Sequence, residues 1–221
     1  MFCSTINAQE NINKIDEKGL RHGPWKGLFD ESKRVRYEGT FNHGKETGIF
    51  TFYDDTKVHT VVATRDFSKP NQAYTTFYDP KKNIVSEGNV VNKAYDGKWT
   101  YYHHQSKKVM TVEYYKNGKL DGKRLVYFTN GKVAEETNYN DGIKHGAYRK
   151  YTDKEILLED SMFVNGEYHG PAVFRDGDGD LASKGMFKNG AKNGIWEFYE
   201  DGKLVKKEKY PLKKKPKPKA K

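Results

Sequence analysis

A glycine returns along this chain at Gly23, Gly48, Gly97, Gly122, Gly146, Gly170 and Gly194, with Ala73 filling the third place in the series. The successive steps are 25, 25, 24, 25, 24, 24 and 24 residues. Spacing this regular restricts a chain to stacked supersecondary units, each burying its apolar face against its neighbours. The same residue types recur around each glycine. Two positions on stand Trp25, Phe50, Trp99, Tyr148 and Trp196; four on come Phe52, Phe77, Tyr101, Val126, Phe174 and Phe198. The fifth position holds Tyr53, Tyr78, Tyr102, Tyr127, Tyr151 and Tyr199, with Leu28 and Arg175 as exceptions. After a stretch of variable length comes an aliphatic residue such as Val35, Ile84, Val109, Val133, Leu157, Leu181 or Leu204. Six residues later sits Phe41, Val90, Tyr115, Tyr139, Phe163, Phe187 or Tyr210, and the next glycine follows after seven more.

Length varies only between the glycine and the aliphatic residue, where a hairpin turn tolerates insertion while its strands hold register. Unit 2 is the least regular, since Phe67-Ser68-Lys69-Pro70 replaces the usual connection. Each half-unit alternates with period two: Trp99 and Tyr101 share one face and Tyr102 takes the other, while Val109, Thr111, Glu113 and Tyr115 fall together. Connections such as Tyr115–Gly122 (YKNGKLDG) contain Asn-Gly, whose tolerance of positive φ suits a tight reversal. Repeated glycine and the lack of i, i+3, i+4 apolar spacing argue against helix. The expected fold is all-β: an elongated antiparallel β-meander of about eight tandem β-hairpin repeats of 24–25 residues, sixteen strands in all, about 75 Å long by strand spacing. The repeats fill residues 15–210, between an N-terminal segment (1–14) and a Lys/Pro-rich tail (211–221) expected to be disordered.

Mean hydropathy is −0.99 with 32% charged residues, yet Phe, Tyr and Trp number 12, 16 and 3. Many rings on little aliphatic bulk describe a thin β structure better than a thick two-layer domain. The net charge of +10 is concentrated in the tail, whose six lysines and absence of acid leave +4 on the rest. That weak basicity argues against nucleic acid as a partner. Cys3 is the sole cysteine, so an intrachain disulfide and a multi-cysteine zinc site are excluded. At the N-terminus, Ile6-Asn7-Ala8 before Gln9 has the form of a signal-peptide cleavage site. Two readings stand: Met1–Ala8 ends a signal peptide, predicting export to the periplasm or cell envelope, or it is an unstructured N-terminus of a cytoplasmic protein.

Tyr37–Gly48 (YEGTFNHGKETG) and Phe187–Gly194 (FKNGAKNG) resemble MORN repeats, whose pattern is Y-x-G-x-F-x-N-G-x-x-x-G. The looser units, with G-x-W-x-F-Y before a turn and an aliphatic strand, are similar to the MORN variant of bacterial YwqK-like proteins. The resemblance covers roughly residues 15–210. It implies a β-hairpin array, and for bacterial members an antitoxin or immunity role within toxin–antitoxin systems.

No catalytic constellation emerges, and neither a cofactor nor a metal is expected. His22, His145 and His169 each precede a repeat glycine, a polar position shared with Thr47, Asp96, Asp121 and Asn193. Equivalent sites on adjacent hairpins lie about 10 Å apart, too far for one zinc ion. Asp176-Gly-Asp-Gly-Asp180 is similar to the start of a calcium loop, but the required sixth glycine and twelfth glutamate are Leu181 and Phe187, so this is unit 7's turn. Glu38, Glu87, Glu136 and Asp160 recur at one strand site, which reads as a solvated face. Two surfaces are candidates. The tyrosine row, Tyr53, Tyr78, Tyr102, Tyr127, Tyr151 and Tyr199, is expected to meet a protein partner, a toxin in the immunity reading, or simply to cover the second face of the sheet. Lys213, Lys214, Lys215, Lys217, Lys219 and Lys221 are expected to confer weak attraction to an anionic membrane or, in the blander reading, solubility.

Overall fold

The computed structural model describes residues 12–212. Every strand in it pairs antiparallel, and no helix forms among the described residues. Two compact units are distinguished: residues up to Asp96 together with His104–Lys107, and Gly97–His103 together with Lys108 onward.

In the first unit a short strand β1 (Lys14–Ile15) pairs with β2 (Arg21–Leu28), which continues into β3 (Val35–Asn42), β4 (Lys45–Tyr53), β5 (Val61–Asp66), β6 (Gln72–Tyr78) and β7 (Ile84–Val91). β8 (Ala94–Tyr102) straddles the boundary. The second unit runs through β9 (Val109–Lys116), β10 (Lys119–Leu120), β11 (Gly122–Tyr127), β12 (Val133–Asn140), β13 (Ile143–Tyr151) and β14 (Leu157–Val164). It ends with β15 (Glu167–Tyr168), β16 (Gly170–Arg175), β17 (Leu181–Lys188), β18 (Ala191–Glu200) and β19 (Lys203–Tyr210). The expected meander of eight hairpins is therefore present. Among the described residues there are nineteen strands instead of sixteen because β1 precedes the first repeat, and because the strands at Gly122 and Gly170 are each interrupted just before the glycine.

Those interruptions show what the recurring glycine does. All seven repeat glycines have positive φ, between 63° and 109°, and Ala73 does not. At Gly146 the ladder slips: Thr137 pairs with Tyr148 but Tyr139 pairs with Lys144, so four residues of β13 span two of β12. The same slip surrounds Gly48 and Gly194. These three glycines thus sit in β-bulges that a Cβ-bearing residue adopts only with strain. At Ala73 the ladder with the preceding strand is continuous, Ala63 to Asp66 against Phe77 to Tyr74. The interval from Phe67 to Ala73 is correspondingly six residues, where the bulged repeats have seven. Unit 2 is irregular for that reason, and Phe67 still takes the usual ring position by packing edge-on to Phe50 at 5.4 Å.

The connections between repeats are two-residue turns with both central residues at positive φ, as in Asn117-Gly118 (51° and 82°) and Asn165-Gly166 (51° and 85°). Asn92-Lys93 makes the same turn without glycine, at 48° and 67°. Adjacent turns are stitched together: the turn glycine N–H donates to the carbonyl two residues before the previous repeat glycine, in Gly44 to Arg21 (2.8 Å), Gly142 to Leu120 (2.7 Å) and Gly190 to Tyr168 (2.9 Å).

A second bulge lies at the other end of every hairpin. Tyr101 pairs with Thr111 but Tyr102 pairs with Val109, leaving Met110 extra. Straight alternation would put Val109 on the face of Thr111, Glu113 and Tyr115. The bulge instead moves it opposite Tyr102, to the other side.

Burial is concentrated on the face of the second-position rings. Trp99 and Trp196 are fully buried and Phe50 nearly so. Between Tyr148 and Trp196 the rings follow one another across strands through Phe163, Tyr168 and Phe187 at centroid distances of 5.5, 4.4, 4.8 and 4.9 Å. Pairs of this kind contribute about 0.5–1.5 kcal/mol each beyond their buried area. Some rings lie flat on the neighbouring backbone, which requires glycine beneath them. A Cβ on Gly185 would approach the Trp196 indole to 2.4 Å, and one on Gly39 would approach the Phe50 ring equally closely.

Candidate partner-binding face

The opposite face carries the candidate tyrosines. All six are half-buried at strand ends, not fully exposed. Tyr53 stacks on His59 at 4.1 Å and donates its hydroxyl to Glu38; burial beside that carboxylate pushes it up to about 12. Tyr78 Oη lies 3.2 Å from Thr64 Oγ1. Burial also raises Tyr127 and Tyr151, with Glu136 adding to both. Tyr199 donates to Glu197 at 2.7 Å under the ammonium of Lys184. Tyr102 is half-buried at the end of β8. The rings therefore flank the turns at the strand ends.

The recurring carboxylates share this face, and Glu38, Glu136 and Asp160 are the acidic halves of cross-strand pairs. Lys26 approaches Glu38 at 3.8 Å, Lys123 approaches Glu136 at 3.3 Å and Arg149 approaches Asp160 at 3.4 Å. Glu197 is held by both Lys184 (3.2 Å) and Lys207 (2.7 Å); these ammonium groups, with the Tyr199 hydroxyl, lower its pKa to about 2. Each exposed pair is worth about 0.2–1 kcal/mol, so their chief effect is to fix a charged pattern.

What the repeat pattern did not reveal is how the first residue after each glycine combines with the strand beside it. These positions pair across the hairpin: Ala147 with Met162, Pro171 with Met186 and Ile195 with Lys209. Met162 is 42% exposed, Met186 46% and Ile195 60%, and together with Pro171 they form an apolar stripe across β14 to β18. A shallow depression of about 400 Å³ opens here, lined by Pro171, Val173, Met186 and Ile195 with Lys184, Glu197 and Lys207 at its rim. Scattered single residues in separate repeats give no sequence signal until register places them side by side.

The ring face of the second unit also holds a polar cluster that the sequence did not announce. Arg124 takes the second position after its glycine, where other repeats have a ring. Its Nε donates to Glu113 (2.9 Å) and its Nη1 to Glu135 (3.2 Å). Tyr115 donates to Glu113 at 2.6 Å and Tyr148 to Glu135 at 3.2 Å; burial with these carboxylates pushes both phenols up strongly. Tyr168 donates to Glu159 at 2.9 Å and is pushed up to about 12. Acid, base and phenol are mutually satisfied, which suits a packed array better than proton transfer.

The remaining sequence candidates fall into structural roles. Asp176 Oδ1 accepts the N–H groups of Asp178, Gly179 and Asp180 at 3.1, 3.0 and 2.9 Å, closing its own turn as Asp54 and Asp79 do in theirs. His169 Nδ1 faces the N–H of Asn189 at 3.5 Å, and His103 Nε2 faces the Tyr127 carbonyl at 3.2 Å. The segment Met1–Ala8, Cys3 and the lysines Lys213, Lys214, Lys215, Lys217, Lys219 and Lys221 lie outside the described residues.

No curated protein matches the chain. A family model described as the MORN repeat variant matches residues 120–141 and 192–210. The first stretch runs through Gly122 and ends at Asp141, where the next turn begins, and the second holds the last bulged hairpin around Gly194; positive φ recurs at the other repeat glycines. The chain thus carries repeats of the MORN variant in these two stretches.

Proposed function

We propose that this chain is a non-catalytic repeat scaffold that binds a protein partner across the face opposite its ring row. The observation that carries this reading is the stripe of Met162, Pro171, Met186 and Ile195, left exposed on the sheet and edged by the ion-paired Lys184, Glu197 and Lys207. An apolar centre with a charged rim is the usual anatomy of a protein interface. Methionine adapts its shape to a partner at little cost. Tyr199 borders the stripe through Glu197, and Tyr151 lies at the end of the strand that carries Ala147. The finer reading, that the partner is a toxin and the chain its immunity component, rests on the resemblance to YwqK-like proteins and on no residue of the site itself.

A photo-crosslinking residue placed at Ile195 in native cells tests the proposal. One protein is expected to be captured, and Met186→Glu in the same chain is expected to abolish capture without shifting the unfolding midpoint. Capture that survives Met186→Glu, or no capture at all, refutes binding through this face. Co-sedimentation with anionic vesicles, with and without residues 211–221, tests the rival in which the lysine tail recruits the chain to a membrane or envelope. Salt-sensitive, tail-dependent sedimentation without protein capture supports that rival.

A further inference from the structure

The first hairpin departs from the others where its two turns meet. In two later repeats the first residue of the two-residue connection leans its N–H on the side chain just before the preceding repeat glycine. Asp141 N–H approaches Asp121 Oδ2 at 3.3 Å, and Asn189 N–H approaches His169 Nδ1 at 3.5 Å. In the first hairpin the same juxtaposition joins His43 to His22, at 3.4 Å from N–H to Nδ1. Connections elsewhere carry Asn92, Asn117, Asp141, Asn165 or Asn189 at the place of His43. Here two imidazoles therefore face one another, with centroids 4.5 Å apart and planes inclined by 44°. The stitch from Gly44 N–H to the Arg21 carbonyl fixes their backbones.

A third ligand is supplied from the turn that precedes β2. The turn after β1 brings Asp16 beneath the pair, with Oδ2 2.6 Å from His43 Nδ1. Asp16 Oδ1 is anchored by the N–H groups of Lys18 and Leu20, both at 2.9 Å, so the carboxylate is aimed before any ion arrives. Its side chain is 11% exposed while that of His43 is 64% exposed, leaving one side open to solvent. One ligand atom from each of the three residues lies within 4.8 Å of the others. Around a tetrahedral ion with bonds of about 2.1 Å, neighbouring ligand atoms stand about 3.4 Å apart. The 2.6 Å between Asp16 and His43 is shorter than that value, and the remaining separations stay within 4.8 Å.

We propose that Asp16, His22 and His43 form a binding site for a divalent transition metal of the zinc class, with water completing the coordination. The 10 Å separation that excludes a zinc site between equivalent positions does not apply. His22 and His43 occupy non-equivalent positions that the stitched turns press together. A two-imidazole, one-carboxylate set suits Zn²⁺ and its neighbours better than Ca²⁺ or Mg²⁺. Bound there, an ion would clip β1, the start of β2 and the turn between β3 and β4.

The test is calorimetric titration of the tag-free, chelator-stripped full chain with Zn²⁺. One ion per chain is expected at micromolar affinity, with a rise in Tm. His43→Asn installs the residue other repeats use and preserves the turn. Asp16→Asn keeps the oxygen that accepts Lys18 and Leu20 N–H. Each is expected to weaken binding by more than the roughly 10–100-fold that changes outside the coordination sphere cost. His169→Asn is expected to leave affinity unchanged. Absence of stoichiometric binding overturns the site, as does binding that persists in His43→Asn, since the latter places the ion on other histidines.

Discussion

Replacing Gly185 by alanine sets two physical effects against each other. Gly185 lies within β17 at an ordinary strand conformation, so backbone considerations favour alanine by about 0.4–1 kcal/mol through the unfolded chain. The added Cβ, however, would lie 2.4, 2.5 and 2.6 Å from three indole atoms of Trp196. Ordinary contact begins near 3.5 Å, so the indole must retreat by about 1 Å. Trp196 has little room to do so: it is fully buried, its Nε1 donates to the Met186 carbonyl at 3.0 Å, and Phe187 packs against it edge-on at 4.9 Å. Overpacking at such a site costs about 1–3 kcal/mol, and loss of the indole hydrogen bond adds about 1 kcal/mol. The clash exceeds the entropic gain, giving a net destabilisation of about 1–3 kcal/mol. Urea unfolding followed by tryptophan fluorescence measures it, with Gly177→Ala, which meets nothing within 4 Å, as the control. A second arm repeats Gly185→Ala in a Trp196→Ala background, where the penalty is expected to vanish. A neutral or stabilising Gly185→Ala, or an undiminished penalty without the indole, refutes the claim that this glycine is a seat for the ring.

Three further outcomes follow from other parts of the array. Lys93→Gly creates Asn-Gly at the two-residue turn that has no glycine, relieving a φ of 67° on a Cβ-bearing residue, and is expected to raise stability by about 1 kcal/mol in chemical denaturation. Arg124→Leu strips the shared cation from the half-buried Glu113 and Glu135 and is expected to cost about 1–3 kcal/mol; an unchanged midpoint would show that the network is dispensable. Tyr53 and Tyr168 have pKa values raised to about 12, so the folded state favours their protonated form relative to the unfolded chain. Their contribution is complete below pH 10 and is lost as pH rises toward 12. Alkaline unfolding monitored by phenolate absorbance is expected to lose part of its steepness in Tyr53→Phe, and an unaltered profile would remove Tyr53 from the account.

The sequence alone determined the repeat, its length and its all-β character, because glycine spacing, Asn-Gly turns and period-two rings are local properties that each repeat restates. Even the aberrant unit was legible as aberrant, and the continuous ladder at Ala73 supplies the reason. What only tertiary structure decided were relations between repeats. The bulge at Met110 re-aimed Val109, which straight alternation could not anticipate. Register gathered Met162, Pro171, Met186 and Ile195 from different repeats into one exposed stripe. Stitching between successive turns brought His22 to His43 although they lie 21 positions apart in the chain, and the turn beyond β1 added Asp16. A pattern of spacings encodes which residues are equivalent, whereas binding sites arise where residues that are not equivalent touch. That depends on how far one turn leans over the next.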